Sequence, residues 1–191
     1  MKEVAILNKE FKVGILGATG IVGQQYIALL QNHPWFRITF LAASKKSSGQ
    51  LYGELIKQRG HFLELNEELN QMTIFDVMDI ERAKENCDFV FSALSGDQTK
   101  EIEQLYAKNG FGVVSNTSAH RKDPLVPLLI PEINASHLDI IPEQQKHYGW
   151  EKGFIVVKSN CSIQSFILPL FLLEKAFGVD NVITTTVQAV S

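Results

Sequence analysis

Cysteine is scarce in this chain: its 191 residues include two, Cys87 and Cys161. Two thiols make neither a disulfide framework nor a metal-ligand cluster, so the expectation is a reducing, cytoplasmic compartment. Excess charge of either sign is also missing. A net charge of −3 gives no electrostatic reason to expect nucleic acid or an anionic membrane as a partner. No run of about 18 apolar residues is present to span a bilayer. The nearest stretch, residues 163–173, is interrupted by Gln164, Ser165 and Pro169. Repeats and low-complexity tracts are lacking. The histidines His33, His61, His120, His137 and His147 show no metal-ligand spacing, so no metal is expected and none of the five is assigned to catalysis. Residues 1–10 are neither a signal nor a transit peptide, and read as an N-terminal extension.

What remains is ordinary globular material, 45% hydrophobic and 20% charged, enough for one full domain or one and a part. A short apolar strand, residues 11–16, runs into the motif G-A-T-G-I-V-G from Gly17 to Gly23. A helix pattern follows to about Asn32, where His33-Pro34 ends it, because the residue before proline is pushed out of the helical region. Residues 37–43 are a second strand. This is a βαβ unit with glycines at its first turn. Gly17 allows a tight turn, Gly20 lets backbone approach a pyrophosphate, and Gly23 lets the helix pack closely. The phosphates would meet the helix N-terminus. The competing reading is a glycine-rich turn without a ligand.

The end of the second strand carries more information than the glycines. An NAD-binding unit places an acid about 20 residues past the glycine turn to hold the ribose 2′-hydroxyl. Here the chain reads A-A-S-K-K-S-S-G from Ala42 to Gly49, with no acid before Glu54. Lysine and serine would instead bind a 2′-phosphate through charge-assisted hydrogen bonds. The cofactor inferred is NADP; a solvated Lys/Ser loop is the bland alternative.

Further strands are expected at residues 72–77, 88–94, 112–116 and 126–130, with helices at 51–59, 79–86 and 100–109. The apolar strand 88–94 suits the centre of a parallel sheet. Its end, with Ser92 and Leu94, should lie on the carboxyl edge, where ligands sit in this architecture. The next strand ends in S-N-T-S-A-H-R, so Asn116 and Arg121 could bind an anion on that edge. A surface ion pair with Asp123 is the plain alternative for Arg121. Asn134 is a plausible N-cap. Residues 154–157 form a β-branched strand, and a long apolar helix pattern runs from Ser162 to Phe177. Cys161 sits at the junction. Unpaired N–H groups at a helix start carry partial positive charge and suit an anionic sulfur. Taken alone, a small cysteine at a packed corner is structural. Residues 181–191 read as a β-branched strand, and Cys87 as structural.

Four segments together resemble the aspartate-semialdehyde dehydrogenase family, its archaeal and fungal-like branch: residues 17–23, 43–49, 115–121 and S-N-C-S at 159–162. V-Q-A-V-S at 187–191 supports them. A related N-acetylglutamyl-phosphate reductase usually shows G-C-Y at the nucleophile, which Asn160-Cys161-Ser162 does not match. The resemblance implies a doubly wound Rossmann-type α/β domain at residues 11–159 and the first helix and strand of a second, catalytic and dimerising α/β domain from 160. It implies that Cys161 attacks L-aspartyl 4-phosphate, expels phosphate and carries an acyl thioester that NADPH reduces to L-aspartate 4-semialdehyde, serving lysine, threonine and methionine synthesis. Asn116, Arg121, Asn160 and Gln188 would hold substrate. Gly17, Thr19, Gly20, Ile21, Val22, Gly23, Ser44, Lys46, Ser47, Ser92 and Leu94 would contact NADP. Lys46 stands where the family usually has arginine; it keeps the charge and loses the planar fork. The family's acid/base histidine and its amino-acid-binding glutamate and arginine match nothing in residues 1–191. The expectation is therefore a truncated record, NADP binding without turnover in this chain, and a homo-oligomer, dimer or tetramer, at full length. Two alternatives are a malonyl-CoA reductase-like enzyme using the same cysteine on a thioester, and a non-catalytic NADP-binding module.

Overall fold

The structure, a computed structural model, describes residues 10–60 and 64–187. The expectations for residues 1–9, His61 and Gln188 fall outside the described residues. Short runs rich in Val, Ile, Leu and Phe form seven parallel strands. These are β1 (Phe11–Leu16), β2 (Phe36–Ala43), β3 (Ile74–Asp76), β4 (Phe89–Ser92), β5 (Gly112–Ser115), β6 (Leu128–Leu129) and β7 (Phe154–Lys158). They lie in the order β3-β2-β1-β4-β5-β7-β6. The order reverses at β1, the topological switch point where doubly wound folds bind ligands.

Helices cover both faces. They are α1 (Ile21–Leu30), α2 (Tyr52–Gln58), α3 (Glu67–Asn70), α4 (Ile80–Asn86), α5 (Thr99–Lys108), α6 (Pro131–Asn134), α7 (Ile141–Tyr148), α8 (Cys161–Gln164) and α9 (Ile167–Phe177). Because strand side chains alternate, the sheet feeds two cores. Val13, Ile15, Ile38, Leu41 and Ile74 pack with Ile27, Tyr52 and Leu55 on one side. Leu16, Phe40, Val90, Val113 and Ile155 pack with Ile80, Ala83, Tyr106 and Ala107 on the other. Burial on both faces is why residues 13–16 of β1 and 155–157 of β7 are runs without a polar side chain. The edge strand β6 is two residues long, which limits pairing with another chain.

Register sets the site. Leu16 pairs with Ala42 and with Ser92. Ser92 pairs with Ser115, and Ser115 with Val157. The carboxyl ends of β2, β1, β4, β5 and β7 are therefore level. The residues that follow them, at 17, 93, 116 and 158, stand side by side along one edge.

Four expectations change. The helix pattern from Ser162 to Phe177 is two helices, α8 and α9, with a break at Ser165 and Phe166. Pro169 is the reason: it has no N–H to give and fits a helix only near its start, so α9 begins two residues before it. Residues 181–187 form no strand and are exposed; among the described residues no strand lies beside them to pair with, and a lone strand is not stable in water. The expected strands at 72–77 and 126–130 shrink to three and two residues. Asn134 does not cap with its side chain. Its oxygen accepts from the Ile130 N–H at 2.8 Å and its amide donates to the Leu128 carbonyl at 2.9 Å, tying the β6–α6 turn.

Candidate active site

The glycine turn is built on contacts that exclude side chains. Gly17 has φ +80°, and a Cβ on it would meet the Ala93 carbonyl oxygen at 2.6 Å. A Cβ on Gly23 would lie 2.2 Å from the Gly17 oxygen, so α1 packs on the turn itself. Gly20 differs: a Cβ there meets little, the Gly17 oxygen at 3.4 Å. Its open side is the one a pyrophosphate could approach. The turn is braced from below. The buried Tyr52 hydroxyl donates to the Ala18 carbonyl at 3.0 Å, and the Gln24 amide donates to the Thr19 carbonyl at 3.2 Å.

Beside this turn lies a cleft of about 500 Å³, lined by Gly17, Thr19, Gly20, Ser44, Lys45, Arg59, Asp76, Leu94 and Thr99 among others. It meets a second hollow of about 430 Å³ at Leu94, Ser95 and Thr99, which Lys100, Thr117, Ser118 and Ala119 complete. Of the residues expected at a cofactor, Gly17, Thr19, Gly20, Ser44 and Leu94 line the cleft. Ile21 and Val22 are exposed beyond its lining, Gly23 is buried behind the turn, and Ser92 is fully buried. Lys46 is not part of the lining, whereas its neighbour Lys45 is. Ser47 is buried, and its hydroxyl accepts from Arg59 Nη2 at 3.0 Å. Arg59 Nη1 reaches the Thr19 carbonyl at 3.4 Å, so one guanidinium bridges the Ser47 loop and the glycine turn. Arg59 and Asp76 escaped the sequence reading, while Lys45 lies in the stretch read for the 2′-phosphate, where Lys46 is the lysine singled out. Nothing in the sequence marks Arg59, which follows α2 and reaches the cleft only through the packing of that helix.

On the same edge, Asn116 donates its N–H to the Ser92 carbonyl at 2.9 Å. Arg121 forms no ion pair with Asp123. Its Nε and Nη2 donate to the carbonyls of Lys158 and Asn116, both at 3.2 Å, which ties the loop after β5 to the end of β7. Two residues on, Asn160 caps α8: its side-chain oxygen accepts from the Ser162 N–H at 2.8 Å. Cys161 is the first helical residue and is exposed. Its helix is four residues long, so the dipole behind the sulfur is that of one turn rather than of the long helix expected. Cys87 is buried; burial pushes its thiol up to about 12, and it donates to the Ala83 carbonyl at 3.3 Å.

Beneath the loop from Asn116 to Arg121 lies a buried polar cluster. The Glu103 carboxylate of α5 accepts from the hydroxyls of Ser115 at 2.8 Å and Thr117 at 3.3 Å, and His120 Nε2 lies 3.4 Å from it. Ser92 faces the same carboxylate without a well-aligned hydrogen bond. Burial raises the Glu103 carboxyl above its usual range, against the pull of the three hydroxyls. Burial lowers His120, and the nearby Lys100 charge adds to that.

With this geometry in place, residues 12–141 match the family model described as semialdehyde dehydrogenase, NAD binding domain. The chain belongs to the semialdehyde dehydrogenase family. It is 41% identical over 183 residues to an aspartate-semialdehyde dehydrogenase of Cryptococcus neoformans, covering 95% of this chain and 50% of that protein. The corresponding figures for an aspartate-semialdehyde dehydrogenase of Archaeoglobus fulgidus are 40%, 95% and 51%. A crystal structure of the Candida albicans enzyme with NADP superimposes with TM-score 0.75 and 35% identity, over 90% of this chain and 48% of that one. The chain thus spans about half the length of the curated relatives it matches. The matched span holds the glycine turn and the whole lining of the cleft, and stops short of β7 and of Cys161. Among the described residues no helix is long and apolar enough to cross a membrane.

Proposed function

We propose that this chain supplies the dinucleotide site, the phosphate site and the nucleophile of an NADP-dependent aspartate-semialdehyde dehydrogenase. The level register that puts the glycine turn, the Asn116–Arg121 loop and the Cys161 turn on one carboxyl edge carries the reading. Acyl-phosphate reduction needs those three parts within reach of one substrate. Relatives at about 40% identity that bear this name support it.

In the biosynthetic direction the Cys161 sulfur attacks the acyl carbon of L-aspartyl 4-phosphate. A C–S bond forms, the C–O bond to phosphate breaks, and phosphate leaves beside Arg121 and Asn116. A thiolate suits the task because a thioester keeps its carbonyl open to hydride. Bound NADPH supplies that hydride. The C–S bond then breaks, the semialdehyde is released and the thiolate returns. Asn160 fixes the turn that presents the sulfur. In the cleft, Gly17 to Gly20 approach the pyrophosphate, while Ser44, Lys45 and Arg59 provide donors for a 2′-phosphate. The observations fit that group: an open Gly20, a guanidinium already held at the wall, and no acid at the end of β2. Asp76, at the end of β3, lines the same cleft and could accept from a ribose hydroxyl or an adenine amino group.

The domain boundary is placed between Ser159 and Asn160. No residue of α8 or α9 is buried, and Leu172, Leu173 and Phe177 are exposed. The rest of the enzyme and a second subunit would cover these faces. Lysine, threonine and methionine synthesis in the cytoplasm is the setting that a reduced cysteine nucleophile fits. The full-length protein should oxidise aspartate semialdehyde with NADP and inorganic phosphate. Cys161→Ser should abolish that, and the 191-residue chain should bind NADP without turnover. Phosphate-independent oxidation, or activity retained by C161S, would sink the proposal.

A further inference from the structure

Glu103 is an unusual residue to find at 0% exposure. An apolar side chain of its size would fill the space without the cost of burying a carboxyl. Its contacts show what it does there. The Ser115 hydroxyl donates to Glu103 and accepts from the Thr117 N–H at 3.0 Å. The Thr117 hydroxyl donates to Glu103 and accepts from the Ala119 N–H at 3.2 Å. A carboxylate only accepts. It therefore draws both hydroxyl hydrogens inward and leaves their oxygens facing the loop backbone. Directly before those anchored amides, between the two hydroxyl-bearing residues Ser115 and Thr117, sits Asn116, whose carbonyl holds the Arg121 guanidinium. Two carbonyls occupy Nε and Nη2, and Nη1 has no partner among the described residues.

We propose that Glu103 is a positioning residue for phosphate: through Ser115 and Thr117 it fixes the backbone that aims Asn116 and Arg121 at the anion. The proposal rests on reading Asn116 and Arg121 as phosphate ligands. Glu103 touches no substrate. It acts from beneath, on the helix whose preceding residues, Thr99 and Ile102, line the dinucleotide cleft. The geometry separates the two sites: the hydroxyls that Glu103 holds belong to the phosphate loop, while the glycine turn is braced by Tyr52 and Gln24.

The test measures dissociation constants for inorganic phosphate and for NADP on the full-length protein by titration calorimetry, phosphate being added to the NADP-saturated form. Glu103→Leu and Thr117→Val should each weaken phosphate about tenfold or more, since each strands a buried hydrogen-bonding group. NADP affinity should stay within about twofold, and Glu103→Gln, whose amide oxygen still accepts from Ser115, should restore most of the phosphate affinity. If E103L does not fold, T117V carries the test from the loop side. Wild-type phosphate affinity in a folded E103L or T117V, or an equal loss of NADP, overturns the proposal. Arg121→Ala is the control for the underlying reading. If it leaves phosphate binding unchanged, or the wild type binds none, the assignment of Asn116 and Arg121 is itself wrong.

Discussion

Gly20 and Gly23 are three residues apart in one motif, yet alanine at the two positions should do opposite things. At Gly23 the new Cβ would lie 2.2 Å from the Gly17 oxygen and 2.9 Å from the Ala18 Cα. A carbon–oxygen contact settles near about 3.2 Å, so about 1 Å of overlap must be relieved by moving backbone. The turn cannot yield outward, because Gly17 is already closed on the Ala93 carbonyl. Overpacking of this kind costs about 3 kcal/mol, and the better helix propensity of alanine returns about 1. Gly23→Ala should therefore lose about 2 kcal/mol and weaken NADP through the displaced turn. At Gly20 the backbone, φ −79° and ψ 162°, suits alanine, and the Cβ has room. Gly20→Ala should change stability by less than about 1 kcal/mol. Its methyl instead stands where the pyrophosphate must come and should weaken NADP about tenfold or more. Urea unfolding with a fixed m-value and NADP titration read the two effects separately. A wild-type urea midpoint for G23A, or wild-type NADP affinity in G20A, would refute the packing and approach arguments respectively.

Arg59→Ala should weaken NADPH by about tenfold, the loss of a charge-assisted hydrogen bond, and leave NADH unchanged; equal losses for both would make Arg59 a brace of the glycine turn only. Tyr52→Phe should cost about 1 kcal/mol, because it orphans the Ala18 carbonyl acceptor, read as a lower urea midpoint. Iodoacetamide at pH 8 should label Cys161 and spare Cys87, whose thiol stands at about 12 under a buried position; a peptide map showing Cys87 modified in native protein would contradict that burial. The Glu103 carboxyl is raised in the folded state, so its protonation favours folding below its ordinary value of 4.5 and that contribution is lost as pH rises through the folded value. His120 is lowered, so its contribution is complete above its ordinary 6.5 and is lost as pH falls. E103Q should remove the first decline and keep the second, measured by urea unfolding from pH 4 to 8; parallel curves for the two proteins would refute the assignment.

The sheet was legible because its cause is local. Each strand is a short β-branched or aromatic run, and a parallel sheet buried on both faces needs little else. Length was the unreliable part. Residues 126–130 carry enough apolar character for five strand positions, but the ladder with β7 takes in Leu128 and Leu129, with the Pro127 carbonyl adding one bond from the Val157 N–H. The stretch 181–187 has as much β-branched character as β7 and no strand partner among the described residues. Propensity states what a segment can do, and pairing decides what it does. The break before α9 was also written in the chain, at Pro169. The apolar pattern runs unbroken across the proline and hides the restart just ahead of it.

The site divides along a similar line. Residues on the ends of strands were readable, because a strand's end fixes which edge its next residues occupy; Gly17, Ser44, Leu94, Asn116 and Cys161 all follow from that. Arg59 and Glu103 were not, and for different reasons. Arg59 reaches Ser47 and Thr19 from the end of a helix, at a distance in sequence that no motif encodes. Glu103 sits among Lys100, Glu101, Gln104 and Lys108 on α5, whose other buried positions are Thr99, Tyr106 and Ala107. Which of several acids is the buried one depends on the helix's rotation against β5. The polar ends of β4 and β5, Ser92 and Ser115, held the missing clue: both pair in register and both are fully buried. Buried hydroxyls need a partner, and the single buried carboxylate on the covering helix is the group placed to meet them.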